Sequence, residues 1–322
     1  MNAFDRFVEV RNTSIEHAAK QISADGVDIL VDLMGHTQDA RTEILALRPA
    51  SIQVGYLGYA GSTGASFLDY ILVDDYVVPF DQQPFFTERL VHLPGCFLVN
   101  DSQREIAPLT PTRSECNLPV SGFVFCCFNN NYKITSQMFS VWMELLKAVP
   151  GSVLWISEGN PIAQDNLRRE TVAHSVESER LVFAKRMPLH SEHLARHRLA
   201  DLFLDTFPYN AHVTSSDALW AGCPVLTMSG ETYASRVAGS LLRALELPEL
   251  ITTTMNDYYA MGLRLAKDSR LLAELRSRLE ANRKSSSVFD GGQFAGKLEQ
   301  AYTTMQEIYT AGEKPRAFAV SD

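Results

Sequence analysis

The sequence has no apolar run that approaches the length of about 18 residues needed to span a bilayer. Its first residues, MNAFDRFVEVRNTS, lack a basic start followed by an apolar stretch, so they do not resemble a secretion signal. The 5 cysteines are odd in number, and no two of them form the C-x-x-C spacing of a zinc or redox site. These absences predict a soluble protein of the reducing cytoplasm.

A surplus of positive charge is also missing. The formal net charge is -9 and the isoelectric point is about 5.4, which argues against a protein that wraps nucleic acid by general electrostatics. What the sequence does have is length and apolar content. Its 322 residues, 46% of them hydrophobic, can bury a substantial core and are enough for two domains.

Short apolar, β-branched runs alternate with helical patterns over most of the chain, which is typical of the parallel βαβ units of an α/β fold. The strands predicted for a first sheet are 27–33, 51–58 and 69–74, and those for a second sheet are 123–128, 152–157, 180–185, 201–206 and 224–228. A stretch rich in Pro, Ser and Thr between the two sets predicts an interdomain linker. Thr135 is predicted to cap the first helix of the second set, and two long helical patterns, at about 255–283 and 293–310, close the chain.

The stretch YNAHVTSSDALWAG, residues 209–222, carries more polar side chains at a helix start than capping requires. His212, Thr214, Ser215 and Asp217 precede or open this helix, and the strand 201–206 comes just before it. Ligands of open α/β sheets bind at the carboxyl ends of strands, commonly at helix N-termini, so these residues are candidates for holding a phosphate. The alternative is structural: Thr214 or Ser215 caps the helix and Asp217 favours its dipole.

The stretch CCFNNNYKIT, residues 126–135, combines a strand end, an asparagine loop and Lys133 just before a capped helix. A lysine in that place can meet a phosphate as a point charge, although an isolated one is more often a solvated surface residue. In a third stretch, MPLHSEHLARHRLAD, the histidines His190, His193 and His197 lie close together without thiolates, which is weak support for zinc. A helix starting near Ser191 would place His193 in its first turn, at the ligand edge of the sheet; the alternative is an exposed helix with assorted polar residues.

Two stretches of the predicted first domain also carry polar residues or glycines at strand ends. The first, DLMGHT, contains His36, and the second, GYLGYAGSTGA, has glycine at every third position, including Gly58, Gly61 and Gly64. Such a loop can approach a ligand closely. It is not the G-x-G-x-x-G pattern, so a dinucleotide site is poorly supported.

Five stretches occur in the order found in the catalytic region of O-linked N-acetylglucosamine (O-GlcNAc) transferases: ALRPASIQVGYLGYAGSTGASFLDYILVD, FCCFNNNYKI, HRLADLFLDT, NAHVTSSDALWAGCPVLT and GETYASRV. The chain resembles the bacterial type of this family from about Phe7 to Pro315. The resemblance implies a GT-B glycosyltransferase with two Rossmann-like domains facing across a cleft. We expect residues 1–105 to form a partial, acceptor-side N-terminal domain, 106–120 a linker, 121–290 the domain that binds the nucleotide sugar, and 291–322 a C-terminal helix that crosses back toward the first domain.

The resemblance also assigns roles to individual residues. Lys133 matches the lysine that stabilises the leaving diphosphate, and His193 matches the histidine beside the uracil. Asp217 matches the carboxylate that accepts from the ribose hydroxyls. The remaining members of the expected nucleotide-sugar site are Asn130, Arg196, His212, Thr214 and Ser215. On the acceptor side we expect His36 to handle the proton of the hydroxyl, next to Gly58, Gly61 and Gly64. This role follows from its place after a strand and not from the resemblance, and the alternative is that His36 only bonds the adjacent turn.

The resemblance implies transfer of N-acetylglucosamine from UDP-GlcNAc to Ser or Thr of an acceptor protein, with inversion and without a metal or other cofactor. The sequence has no D-x-D metal-binding signal, in agreement with this. Neither nucleic acid nor a membrane is an expected partner. The alternatives are another donor such as GDP-fucose, a nucleotide-sugar-binding fragment without turnover, and an interaction protein that uses the cleft for peptides.

Three departures from the family pattern bear on these expectations. Val213 stands where the animal enzyme has a second Thr, and His190 stands where it has Lys. Nothing in the chain matches the first βα units of the family's N-terminal domain, with their histidine proposed as catalytic, or the tetratricopeptide repeats that usually precede them. We therefore expect an N-terminally truncated catalytic region.

Overall fold

The structure is a computed structural model that describes residues 4–321, and it divides into two compact units. The first unit runs up to Phe97 and resumes at Ala295, and the second runs from Leu98 to Phe294. The stretch 106–120 lies within the second unit, where the Ala107 amide donates to Ser191 O over 3.1 Å. Within residues 4–321, no helix is both long and apolar enough to cross a membrane.

The first unit is built on a five-stranded sheet in which every pair of neighbouring strands is parallel. Its strands are β1 (Ile29–Asp32), β2 (Ile52–Gly55), β3 (Tyr70–Val73), β4 (Arg89–His92) and β11 (Phe318–Ala319), in the spatial order β1-β2-β3-β4-β11. Its helices are α1 (Ile15–Ala24), α2 (Glu43–Ala46) and most of α10 (Gly291–Thr310). Lys297 on α10 donates to Pro94 O over 3.2 Å, which helps to hold this helix on the first unit.

The second unit contains a six-stranded sheet whose neighbouring strands are also all parallel. Its strands are β5 (Val124–Cys127), β6 (Val153–Ser157), β7 (Leu181–Ala184), β8 (Leu202–Leu204), β9 (Val225–Met228) and β10 (Ile251–Thr252). Its helices are α3 (Ser136–Ala148), α4 (Pro161–Ala173), α5 (His190–Arg196), α6 (Val213–Trp220), α7 (Val237–Ala244), α8 (Met255–Lys267) and α9 (Ser269–Asn282). The spatial order is β10-β9-β8-β5-β6-β7, which is the doubly wound order of dinucleotide-binding folds.

The apolar patterns in the sequence correctly located the main strands, because each central strand is covered on both faces. All four residues of β5 are buried, and Trp142 on α3 and Trp155 on β6 complete the core around it. The predicted cap of α3 is confirmed: Thr135 Oγ1 accepts from the Met138 amide over 3.3 Å. Three strands lay outside the predicted set, namely β4, β10 and β11, and the last two are only two residues long.

The long helical pattern predicted at about 255–283 was wrong as a single element. The chain leaves helical geometry at Asp268, which ends α8 and begins α9. The Asp268 carboxylate accepts from the Leu271 amide over 3.0 Å and so satisfies a free N–H at the start of the new helix. The apolar spacing continues through this break, so the periodicity alone did not reveal it.

Candidate functional site

The candidate site lies where the chain order of the second sheet reverses. Strand β5 has β6 on one side and β8 on the other, so the connections leaving β5 and β8 pass to opposite faces of the sheet. A crevice forms at such a switch point, outside the carboxyl ends of the two strands. The stretches predicted from sequence as phosphate sites follow these two strands directly.

A buried polar network joins the ends of β5 and β8. Asn129 follows β5, and its amide Nδ2 donates to Asp205 Oδ1 over 3.2 Å and to Thr206 Oγ1 over 2.8 Å. Thr214 on α6 in turn donates its hydroxyl hydrogen to Asn129 Oδ1. The network therefore fixes both the strand ends and the first turn of α6.

Asp205 is the centre of this network. Its carboxylate accepts from the amides of Thr206 and Ala211, over 2.7 and 2.6 Å, and from the Thr227 hydroxyl over 2.7 Å. Burial raises the pKa of Asp205 to about 6, against the lowering effect of these hydrogen bonds and of Lys133. Asp205 and Asn129 were not among the residues predicted from sequence. The available signal was their position, since a carboxylate lies at the end of the stretch DLFLDT and an amide follows the stretch FCCF.

Lys133 lies beside this network and is half-buried. Its ammonium group donates to Asn210 O over 2.9 Å and lies 4.1 Å from the ring centroid of Tyr209. Burial lowers the pKa of Lys133, while the Asp205 carboxylate opposes that shift. The same loop carries Asn130, whose side chain is exposed.

The start of α6 is not capped by a side chain, contrary to the structural alternative for Thr214 and Ser215. His212 is the N-cap residue, and no side chain caps the helix, so the interpretation that Thr214 or Ser215 caps it was wrong. The Ser215 hydroxyl instead donates to the carbonyls of Ala211 and His212, over 2.9 and 2.8 Å. It thereby provides a hydrogen-bond partner for backbone carbonyls just before the helix. The first N–H groups of α6 have no partner inside the helix, which leaves them available to an anion.

His212, which precedes α6 close to Lys133, has a neutral imidazole ring. Burial lowers its pKa to about 3, and the charge of Lys133 acts in the same direction. Its ring stacks on Tyr209 with centroids 5.1 Å apart, and its Nε2 is buried without a hydrogen-bond partner in the described part of the chain. This nitrogen is the ring atom left for a ligand.

Asp217, one turn into α6, is bound on both of its oxygens. Arg104 Nη1 lies 2.5 Å from Oδ1, and His190 Nε2 lies 3.2 Å from Oδ2. The side chain of Asp217 is 6% exposed and that of Arg104 is 15% exposed, so the ion pair is largely removed from solvent. No sequence signal pointed to Arg104, because it lies 113 residues before its partner.

Helix α5 carries the remaining residues predicted for the nucleotide-sugar site, His193 and Arg196, and places them against the end of β5. It begins at His190, one residue before the predicted start, and the ring of Phe128 packs against His193, with ring centroids 5.6 Å apart. The guanidinium carbon of Arg196 lies 4.2 Å from the ring centroid of Phe128, and its Nη1 donates to Lys185 O over 2.7 Å. The guanidinium is therefore buried beneath the candidate site. Burial, helped by the neighbouring cations, lowers the pKa of His193 to about 2, so this imidazole is also neutral. Among residues 4–321, no group of three or more His, Cys, Asp or Glu side chains is arranged to hold a metal ion.

The candidate residues of the first unit lie together in the loops that follow β1 and β2. His36 Nε2 lies 2.8 Å from Thr63 O, and its ring packs edge-on against Tyr59 at 5.2 Å between centroids. Because a carbonyl can only accept, Nε2 carries the hydrogen and Nδ1 keeps its lone pair. Thr63 is itself held by the buried Glu88, which accepts from the Thr63 amide over 2.8 Å and its hydroxyl over 2.5 Å.

The glycines of the predicted acceptor loop are under different steric constraints. Gly58 has φ +48, and a Cβ there would lie 2.4 Å from Leu33 O, so a close approach to the protein's own backbone requires glycine. Gly64 has φ +71 and open space around it, and a Cβ at Gly61 would lie 3.3 Å from Tyr59 Cε1. The spacing of three thus serves the shape of the loop at Gly58 and leaves surface open at Gly64.

Two parallel sheets, the second of them doubly wound with polar residues and a helix N-terminus at its switch point, define a glycosyltransferase of the GT-B class. The chain belongs to glycosyl transferase family 41, whose sequence profile matches residues 1–111 and 103–298.

Similar proteins are known from plants and bacteria. The chain is 37% identical over 322 residues to the probable UDP-N-acetylglucosamine--peptide N-acetylglucosaminyltransferase SEC of Arabidopsis thaliana, covering 98% of this chain and 33% of that protein. It is 37% identical over 302 residues to the corresponding SPINDLY protein of rice, covering 92% of this chain and 32% of that one. The chain therefore spans about a third of the length of these curated relatives.

Solved structures agree on the fold. A mutant O-GlcNAc transferase of Thermobaculum terrenum superposes with a TM-score of 0.85 at 33% identity, covering 94% of this chain and 57% of that one. The HepE protein of Anabaena, in complex with UDP and glucose, has a TM-score of 0.61 at 12% identity, covering 92% of this chain and 84% of that one, a likeness of fold alone.

Proposed function

We propose that this protein transfers N-acetylglucosamine from UDP-GlcNAc to Ser or Thr hydroxyls of an acceptor protein, with inversion and without a metal ion. The donor and the peptide acceptor are those in the names of the relatives from Arabidopsis and rice. The observation that carries the proposal is the convergence of Lys133, His212 and the N-terminus of α6 at the switch point of the second sheet.

This arrangement suits departure of a nucleoside diphosphate. In the transfer, the acceptor oxygen forms a bond to C1 of the sugar while the bond from C1 to the β-phosphate oxygen breaks. The hydroxyl proton passes to a base, and the diphosphate leaves with the bonding electron pair and added negative charge. A fixed ammonium group and oriented N–H groups stabilise that charge without a metal ion. In this chain they are Lys133 and the first turn of α6.

The rest of the nucleotide is assigned to α5 and α6. Asp217 would accept from the ribose hydroxyls through the lone pairs that its present partners leave free. His193, neutral and packed on Phe128, would lie beside the uracil with Arg196 beneath it. Asn130, exposed in the asparagine loop, would border the sugar or diphosphate.

Incubation of the purified protein with UDP-GlcNAc and a Ser/Thr peptide tests the proposal. We expect a peptide bearing β-linked N-acetylglucosamine, since inversion of the α-linked donor produces that anomer, and an unchanged rate after EDTA treatment. An α-linked product would refute inversion, and loss of activity in EDTA that a divalent cation restores would refute metal independence. Release of UDP without modified peptide would indicate donor hydrolysis alone. Absence of both transfer and UDP release would overturn the proposal.

In the first unit, we propose that His36 accepts the proton of the hydroxyl through Nδ1. Its bond to Thr63 O fixes the tautomer that leaves this nitrogen basic. His36→Gln can still donate to Thr63 O but has no basic nitrogen, so we expect transfer to fall by about 10²–10⁴, the usual contribution of a general base. Mass spectrometry of the modified peptide measures the rate.

The control for this prediction is His17→Gln, which changes an exposed histidine on α1 in the same unit. It should transfer at the wild-type rate. If His36→Gln also retains the full rate, then the bond to Thr63 is structural only and the base lies elsewhere.

A further inference from the structure

We propose that Arg104 is a positioning residue of the donor site: it holds the Asp217 carboxylate in the orientation that binds the ribose hydroxyls. This inference rests on the proposed function, because it takes a ribonucleotide donor as the ligand of Asp217. Arg104 belongs to none of the stretches by which the chain resembles its family. It acts on the ligand only through its contact with Asp217.

Arg104 contacts one side of α6, and its Nε also donates to Asp101 O over 3.2 Å within its own segment. Nη1 donates to Asp217 Oδ1 over 2.5 Å, and Nη2 reaches Ser216 Oγ over 3.4 Å. Trp220, one turn further along the helix, donates its indole N–H to Arg104 O over 3.1 Å, and the guanidinium lies 5.8 Å from the centroid of its ring. The arginine is therefore fixed at its backbone and at its head, and its position is set relative to Asp217.

The carboxylate needs such a partner because it is nearly buried. Removing a carboxylate from water is unfavourable unless a charged or hydrogen-bonding group compensates. Arg104 compensates at Oδ1, whereas His190, the other partner, contacts Oδ2 from a half-exposed position. Loss of Arg104 would leave the carboxylate without its buried cation and free to rotate away from the ligand.

The present contacts leave room for a ribose. A carboxylate offers about four lone-pair positions on its two oxygens. Arg104 occupies one position on Oδ1 and His190 one on Oδ2, so one position on each oxygen remains. Two adjacent hydroxyls of a ribose match two free acceptor positions on one carboxylate.

The test compares UDP with 2′,3′-dideoxyuridine diphosphate, which lacks both hydroxyls, by titration calorimetry. The wild-type protein should bind UDP about 10-fold or more tightly than the dideoxy compound, as expected for charge-assisted hydrogen bonds. In Arg104→Ala we expect UDP affinity to fall about 10-fold while affinity for the dideoxy compound stays constant, so that discrimination disappears. Arg104→Lys, which keeps the charge, should restore part of it. A general disturbance of the site would weaken both ligands equally.

Arg198→Ala is the matched control. Arg198 ties the segment that carries Arg104 to the rest of the second unit, by donating to Ala107 O over 2.9 Å and to Thr110 Oγ1 over 3.1 Å. It makes none of the contacts of Arg104 with Asp217, so its removal loosens the segment alone. This variant should discriminate like the wild type. Undiminished discrimination in Arg104→Ala, or equal loss of it in Arg198→Ala, would overturn the inference.

The proposed function has a separate readout in the same titrations. If the wild-type protein fails to bind UDP, the proposed donor is wrong and the role of Arg104 falls with it. If the wild type discriminates and Asp217→Ala does not, the ribose assignment holds. The behaviour of Arg104→Ala then decides the inference by itself.

Discussion

Replacing Lys133 by Ala should lower kcat by about 10²–10³ and leave the KM for the donor nearly unchanged, because removal of a group that stabilises developing charge has effects of that size. The negative charge on the β-phosphate grows as the bond to C1 breaks, so an ammonium group next to it stabilises the transition state more than the bound donor. The bond from Lys133 to Asn210 O and its place over Tyr209 hold the cation in position before the donor arrives. Initial rates over a range of UDP-GlcNAc concentrations provide both constants.

Two further variants separate this role from a structural one. Lys133→Met keeps the length of the side chain without its charge, so it should lose as much kcat as the alanine variant while UDP still binds. Lys147→Ala removes an exposed lysine of α3, whose partner is Glu144, and should leave kcat unchanged. A rise in donor KM with kcat preserved would show that Lys133 only helps to hold the donor.

Acidification below pH 6 should destabilise the second unit by about 3 kcal/mol for each pH unit down to about pH 4. His193, His197 and His212 have pKa values lowered by burial, to about 2, 3 and 3, so they stay neutral when folded. In the unfolded chain they take up protons below about 6.5, which favours unfolding by about 1.4 kcal/mol per pH unit for each group. Asp205 acts in the opposite direction: its pKa is raised to about 6, so the folded state takes up its proton first. The three histidines destabilise the folded state as the pH falls and Asp205 stabilises it, so two groups' worth of slope remains in the free energy of unfolding.

Fluorescence makes this prediction specific to the second unit, because all 3 tryptophans, Trp142, Trp155 and Trp220, lie in it. Urea unfolding at pH 7.5, 6, 5 and 4.5 would measure the free energy of unfolding. His197→Asn, whose amide can still donate to His193 O, should reduce the slope by about 1.4 kcal/mol per pH unit. His17→Gln, at an exposed position of the first unit, should leave it unchanged. A free energy of unfolding that is constant from pH 7.5 to 4.5 would contradict the prediction.

Much of the fold could be predicted because its signals are local. Parallel strands such as β5 and β6 are apolar on both faces, so they are recognisable without their neighbours. The strand β10 is too short for any such pattern, and the break at Asp268 is invisible to a period that continues through it. The order of the strands, which places the ends of β5 and β8 side by side, depends on contacts between distant parts of the chain.

The candidate site divides in the same way. The sequence by itself determined that Lys133 and the polar start of α6 follow strands, since a strand, its loop and the next helix are continuous in the chain. Only the tertiary structure decided what these groups contact. It placed Asn129 between Asp205 and Thr214, and it paired Asp217 with Arg104 across 113 residues of chain. Local periodicity reflects burial within one element, whereas a buried ion pair forms only where the folded backbone brings two distant charges within about 4 Å of each other and excludes water from both.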